Sequence, residues 1–185
     1  LAISQQLMTL MGGTIQVTSA AGHGSTFWFD AAFPAAEVTT SEQPVNPGKI
    51  VGYAADRPLK LLVVDDKPDI RGMLRDLLTP LGFAVTLAED GRDAVNNAQS
   101  SAPDGILMDL MMPVMSGFEA TRILRRQPEF QQTPIIAMSA SVFDMNQEQS
   151  RAAGCDAFLP KPIDAENVFD ILARLLPLVW RYADA

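Results

Sequence analysis

Five side chains in this 185-residue sequence are placed to do chemistry together: the carboxylates of Asp65, Asp66 and Asp109, the hydroxyl of Ser139 and the ammonium of Lys161. Each closes an apolar run. Leu59 to Val64 precedes the acidic pair, Ile106 to Met108 precedes Asp109, Pro134 to Met138 precedes Ser139, and Ala157 to Leu159 leads to Lys161. Carboxylates packed together repel and raise one another's pKa unless a cation intervenes, and ligands that are all oxygen suit magnesium rather than zinc. Magnesium keeps several waters and bridges carboxylate to phosphoryl oxygens, which points to transfer of a phosphoryl group onto Asp109. Lys161 and Ser139 then hold the remaining phosphoryl oxygens, one by charge and one by hydrogen bond. Asp109 is the natural nucleophile because it stands alone at the end of the central strand. Taken singly, an Asp pair after a strand is often a helix cap, a Ser a loop residue and a Lys-Pro pair a surface turn. Their occurrence at four successive strand exits favours a shared site.

The elements that must position these groups follow from periodicity. Ile70, Leu74, Leu77, Leu78 and Leu81 recur at helical spacing until Gly82 stops them, Ala84 to Ala88 gives a strand, and Asp90 to Gln99 suits a helix. Ser116 to Gln127 predicts a helix halted at Pro128, Asp144 caps a short polar helix ending near Gly154, and Val168, Ile171, Leu172, Leu175 and Leu176 mark the last helix. Strands alternating with helices imply an α/β fold with a doubly wound parallel sheet covered on both faces. In such sheets ligands bind at the carboxyl ends of the strands.

Residues 1 to 58 read differently. Ile3, Leu7, Leu10 and Met11 share a helical face that ends at Gly12-Gly13, and two alternating runs, Ile15 to Val17 and Phe27 to Phe33, flank a turn at Ala21 to Gly24. This helix and β-hairpin are too small to bury their own apolar faces. His23, the only histidine, sits between two glycines and reads as a turn residue. From Pro34 to Pro58 the composition is that of a linker, which places a domain boundary near residue 58.

Composition bounds the function. The apolar content of 48% with 19% charged residues describes a soluble globular chain, and no apolar run approaches the roughly 18 residues a membrane helix needs. A formal charge of -8 argues against non-specific nucleic-acid binding. The one concentrated basic group, Arg122, Arg125 and Arg126, reads as the solvated face of a helix. The single cysteine, Cys155, excludes an intrachain disulfide, suits a reducing cytoplasm and reads as a small packed residue. The chain begins at Leu1 without a methionine or basic leader and reads as a piece of something longer.

Two resemblances sharpen these expectations. Leu1-Ala-Ile-Ser4, Met11-Gly-Gly13 and Gly22-His-Gly-Ser-Thr-Phe-Trp-Phe29 resemble the last segment of a histidine-kinase ATP-binding domain. That resemblance covers residues 1 to 33 only. It implies that the elements holding nucleotide, and the helix bearing a phosphorylated histidine, are not in this chain, so that it should neither bind ATP well nor act as a kinase.

Leu61-Leu-Val-Val-Asp-Asp66, Leu107-Met-Asp-Leu-Met-Met-Pro113 with Gly117, Met138-Ser139-Ala140 and Phe158-Leu-Pro-Lys-Pro162 resemble the receiver domain of two-component signalling over residues 59 to 177. The last residues, 178 to 185, are then a tail. The resemblance implies a flavodoxin-like sheet in the order 2-1-3-4-5. It implies phosphorylation of Asp109 from a histidine-kinase core or a histidine-phosphotransfer domain. Asp66, Asp109 and the backbone carbonyl of Met111 would bind magnesium directly, and Asp65 through water. It further implies a cis bond before Pro162 and a switch aromatic at Phe158, whose plainer role is core packing. Met111 and Ser141 occupy the positions that set phosphate lifetime in the family, and a methionine cannot orient water, so slow loss of phosphate is expected.

The whole reads as the receiver of a hybrid histidine kinase, preceded by a remnant of the catalytic domain whose Phe27, Phe29 and Phe33 could pair with another copy. A magnesium-dependent hydrolase of the haloacid-dehalogenase type combines similar residues. Its nucleophile comes first in an Asp-x-Asp motif, whereas here the acidic pair precedes Asp109. A docking module independent of phosphorylation is the third alternative, and the intact acidic cluster speaks against it.

Overall fold

A computed structural model describes residues 2–10, 12–20, 22–30, 48–140 and 144–183, in two compact units, Leu1–Asn46 and Pro47–Ala185. In the first unit, helix α1 (Ala2–Leu10) ends at Gly12, whose φ of 75° is left-handed, and leads into an antiparallel hairpin of β1 (Thr14–Ala20) and β2 (Gly24–Asp30). Val17 pairs with Phe27 and Ile15 with Phe29, and both phenylalanines remain exposed, at 55% and 61%. Leu7 and Leu10 are exposed as well, while Met8 is buried. The helix therefore turns Met8 inward rather than the expected face containing Leu7 and Leu10. Ile3, Met11 and Phe33 lie outside the residues whose side chains are described.

The second unit is organised by a parallel sheet. Its strands are β4 (Lys60–Val64), β5 (Ala84–Ala88), β6 (Gly105–Asp109), β7 (Ile135–Ser139) and β8 (Ala157–Pro160), in the spatial order β5-β4-β6-β7-β8. Numbered by their own succession this is the expected order 2-1-3-4-5. Alternation along each strand feeds two cores. Leu61, Val63, Leu107, Ile136 and Met138 face α2 (Pro68–Leu78) and α6 (Ala165–Leu175), which contribute Leu74, Leu78, Val168 and Leu172. Leu62, Val64, Ile106, Met108 and Ile135 face α3 (Gly91–Ser101) and α4 (Gly117–Arg125), which contribute Ala94, Ala98, Ala120 and Leu124. Each fully buried Leu or Ile contributes roughly 1.5–3 kcal/mol of transfer free energy, so the two cores fix the strand register and with it every strand exit.

Two helix starts, those of α3 and α4, carry side-chain caps. Asp90 accepts hydrogen bonds from the amides of Arg92 and Asp93, and Ser116 with Glu119 forms a reciprocal capping box at the start of α4. Helix α5 (Asp144–Ala153) packs on α4 and β8. The expected cap by Asp144 concerns a side chain outside those described.

Two features differ from the sequence expectation. Residues 34 to 58 were expected to be a linker and 178 to 185 a tail, but β3 (Ile50–Ala54) and β9 (Val179–Tyr182) pair into a second, antiparallel sheet. Tyr53 anchors it. Its hydroxyl accepts from the Leu59 amide at 2.8 Å and donates to the Gly82 carbonyl at 3.1 Å, and its ring packs 4.4 Å from Phe83. Trp180 packs edge-on to Phe169 and donates its indole N–H to the Phe169 carbonyl. Strands this short have no periodicity to read, and each finds its partner at the other end of the unit. Arg125 is the second difference: Arg122 and Arg126 are exposed, but only 17% of the Arg125 side chain is.

Candidate functional site

The five residues predicted to do the chemistry come from strand exits of the parallel sheet. Asp65 and Asp66 follow β4, Asp109 ends β6, Ser139 ends β7, and Lys161 follows β8. Parallel pairing aligns these exits, because Val64 is level with Met108, Asp109 with Met138, and Ser139 with Pro160. The Lys161 amide then donates to the Ser139 carbonyl at 2.8 Å, and the Lys161–Pro162 bond is cis.

The backbone beneath Asp109 is tightly fitted. The Leu110 amide donates to Met138 and the Gly117 amide to Leu110, folding the loop back so that α4 starts against the strand end. A Cβ on Gly117 would stand 2.0 Å from the Asp109 carbonyl oxygen, a contact no side chain can make. Glycine is required here by close approach, not by its dihedral freedom.

The three carboxylates converge: one oxygen from each of Asp65, Asp66 and Asp109 lies within 4.8 Å of the others. Lys161 Nζ bridges two of them, at 2.6 Å from Asp65 Oδ2 and 2.7 Å from Asp109 Oδ2. Asp65 Oδ1 also accepts from the Lys67 amide at 2.9 Å, and Asp109 Oδ1 from the Met111 amide at 3.3 Å. Asp65 is fully buried and Asp109 is 5% exposed, while Asp66 is the most open of the three. Burial pushes the Asp109 carboxyl above its ordinary range, outweighing the Lys161 ammonium that pulls it down. Burial also acts to lower the Lys161 ammonium, and the hydrogen bonds and charges of Asp109 and Asp65 overcome it, leaving that pKa raised.

One ammonium among three carboxylates leaves the cluster short of positive charge, and all its donors are oxygen. That donor set fits a hard divalent cation such as magnesium, held by Asp65, Asp66 and Asp109. Ser139 is buried beside the cluster's strand ends, at 2% exposure. Met111 keeps its side chain 70% exposed on the loop after Asp109, and Ser141 lies outside the described residues. Phe158 is half-buried against the core between the sheet and α3/α4 and lines a cleft of about 350 Å³ with Arg151, Cys155 and Arg174. Burial pushes the Cys155 thiol up to about 11, as befits a packed residue. His23 lies in the β1–β2 turn of the other unit.

One contact escaped the sequence reading. Arg71, in the first turn of α2, donates from Nη1 to the Asp65 carbonyl at 2.6 Å. The available signal was a cation at a helix start, where the helix dipole disfavours it.

The chain is similar to proteins of known class. The family model of the response regulator receiver domain matches residues 61–173. Response regulator MprA of Mycolicibacterium vanbaalenii is 37% identical over 124 residues, covering 67% of this chain and 52% of that protein. Sensor histidine kinase AruS of Pseudomonas aeruginosa is 34% identical over 170 residues, covering 91% of this chain and 16% of that protein. The chain thus spans about half or less of these relatives. The solved receiver domain of another Pseudomonas aeruginosa sensor histidine kinase, with a magnesium ion coordinated in its active-site cleft, matches at TM-score 0.60 and 35% identity. That match covers 64% of this chain and 98% of that one. With the family model matching more than half of the chain and the sheet order that of a receiver, the chain belongs to the response regulator receiver domain family, the phosphoaccepting module of two-component phosphorelays.

Proposed function

We propose that Asp109 is the residue that accepts the phosphoryl group. A carboxylate oxygen of Asp109 forms the new P–O bond as the P–N bond of a phosphohistidine breaks, and the released imidazole takes up a proton. The observation that carries this assignment is the convergence of Asp65, Asp66, Asp109 and Lys161 at the carboxyl edge of the sheet. Lys161 and Ser139 hold phosphoryl oxygens, by charge and by hydrogen bond. Asp66, Asp109 and the Met111 carbonyl would hold magnesium directly and Asp65 would hold it through water. When bound, the ion supplies neutralisation of charge between carboxylate and phosphoryl oxygens. Met111 makes phosphate loss slow, with Ser141 at the other lifetime position, and Phe158 reports the state of the site to the surface around α5, β8 and α6.

The phosphodonor is a histidine-kinase core or a histidine-phosphotransfer domain, in the cytoplasm. Residues 1 to 33 are the end of a histidine-kinase ATP-binding domain; the alignment with AruS, which extends well beyond the receiver, and the uncovered Phe27 and Phe29 support this. The same apolar face supports self-association, which a molar-mass measurement in solution tests.

The test of the assignment is incubation with a small phosphodonor and magnesium, read by intact mass. The parent gains one phosphoryl group and Asp109→Asn gains none; equal gain on both sinks the assignment. Steady hydrolysis of a phosphate ester would instead favour a hydrolase.

A further inference from the structure

Arg71 contacts the acidic cluster from an unexpected side. Cations are disfavoured in the first turn of a helix, yet Arg71 sits there half-buried, with its guanidinium turned back toward the exit of β4. The carbonyl it holds, at 2.6 Å, belongs to the peptide that links Asp65 to Asp66. That peptide sets the direction in which Asp66 leaves the strand.

The three carboxylates are not held alike. Asp65 is fixed by the Lys67 amide and Lys161, and Asp109 by Lys161 and the Met111 amide. Among the described residues, no donor hydrogen-bonds the Asp66 carboxylate. Its orientation rests on the backbone before it, and that backbone is pinned by Arg71.

We infer that Arg71 is a positioning residue that orients Asp66 through the Asp65–Asp66 peptide and so sets how tightly the cluster holds its divalent cation. This rests on the assignment of magnesium to that cluster. Two effects of Arg71 oppose each other. Its positive charge repels a cation, while its hydrogen bond orders a ligand, and outer groups that orient ligands alter metal affinity by roughly 10- to 100-fold. If charge dominated, removing it would tighten binding; if positioning dominates, removing it weakens binding.

The experiment titrates the full chain with manganese, counting free ion by electron paramagnetic resonance, and repeats each titration with magnesium as competitor. Arg71→Met is expected to weaken binding by about 10-fold, whereas Arg71→Lys, which retains charge and a donor, stays within about 3-fold of the parent. In an Asp66→Asn background, Arg71→Met should change affinity less than about 2-fold, because the residue it orients no longer ligates as a carboxylate. A purely structural role would weaken both backgrounds equally. Thermal melts in chelator establish that each variant is folded, and Arg71→Gln substitutes for Arg71→Met should the latter unfold. Unchanged or tighter binding by the neutral variant, or an undiminished loss in the Asp66→Asn background, overturns the inference. A parent that binds neither ion overturns the magnesium assignment itself, and the inference with it.

Discussion

Asp109 and Lys161 lie 52 residues apart and belong to strand exits separated by β7, yet Lys161 Nζ stands 2.7 Å from Asp109 Oδ2. The contact spans a strand because the lysine reaches across the Ser139 position, where its own amide is tied. A second bond to Asp65 makes this one ammonium the bridge between the exits of β4 and β6. The site is therefore also a structural joint, and its charges have consequences for stability.

In chelator, Lys161→Met should cost about 3–4 kcal/mol, because it leaves two buried carboxylates without their cation. Asp109→Asn should instead stabilise the metal-free fold, since burial already disfavours the charged form of that carboxyl. The two changes are coupled. Urea melts of both single variants and the double variant should show Lys161→Met costing at least about 1 kcal/mol less in the Asp109→Asn background. Strict additivity would count against the bridge.

Gly117→Ala tests the close approach beneath Asp109. Its Cβ must displace the Asp109 carbonyl, which is backbone and cannot rotate away, so a loss of 2 kcal/mol or more is expected, roughly. The displacement falls on Asp109, the residue proposed to accept the phosphoryl group. Intact-mass assays should therefore show slower phosphorylation even at temperatures where circular dichroism reports a folded chain.

The strand exits were legible in the sequence because an apolar run that stops at Asp65, Asp109 or Ser139 marks both the end of a strand and the group it delivers. Side chains that reach backward were not legible. Arg71 and Arg125 have the composition of solvated helix faces, and only their carbonyl partners, distant or reversed in direction, distinguish them. The β3–β9 sheet was equally hidden, since Tyr53 and Trp180 acquire meaning only when the two ends of the unit meet. The site was readable because it is built from strand ends; its supports were not, because they depend on long-range closure.

Arg125 is the largest of those supports. It donates to the carbonyls of Phe130, Thr133 and Gly154, and pairs at 2.5 Å with Asp156, which also accepts from the Ile135 amide at the start of β7. Arg125→Met strands several partly buried acceptors together and should cost about 2–3 kcal/mol by urea melt. Arg125→Lys should recover less than half of that, because an ammonium cannot reproduce the guanidinium's fixed fork. Phosphorylation of Asp109 in folded Arg125→Lys should remain, as the fork lies at the amino end of β7 and the site at its carboxyl end.

Asp104 supplies a pH dependence. Burial acts to raise its carboxyl, but the Arg57 guanidinium, which grips both oxygens, and the Lys60 amide at 2.8 Å outweigh burial and hold it below its ordinary value. A depressed folded-state pKa means the contribution is fully present above the unfolded-state value and is lost as pH falls through the folded-state one. Parent and Asp104→Asn should differ in stability at neutral pH, and the gap should close on acidification below the ordinary aspartate range. A gap that persists unchanged in acid would show that the carboxylate's charge is not what matters there.

Val114 lies between Asp109 and the start of α4 with a φ of 67°, a left-handed conformation that β-branched side chains resist. Its side chain is 74% exposed, so little burial offsets that strain. Replacing it with glycine removes the clash of Cβ with the backbone at the cost of extra freedom in the unfolded chain, and the clash is the larger effect. Val114→Gly should therefore stabilise the protein by about 1 kcal/mol and raise its melting temperature by roughly 3 °C. Val114→Ala, which keeps Cβ, should recover much less. If glycine stabilises while the phosphorylation rate is unchanged, the loop's conformation is set by the packing of Gly117 and the Leu110 carbonyl rather than by Val114. If the rate falls as stability rises, the strained residue is itself part of what holds the loop beside Asp109 in its reactive arrangement.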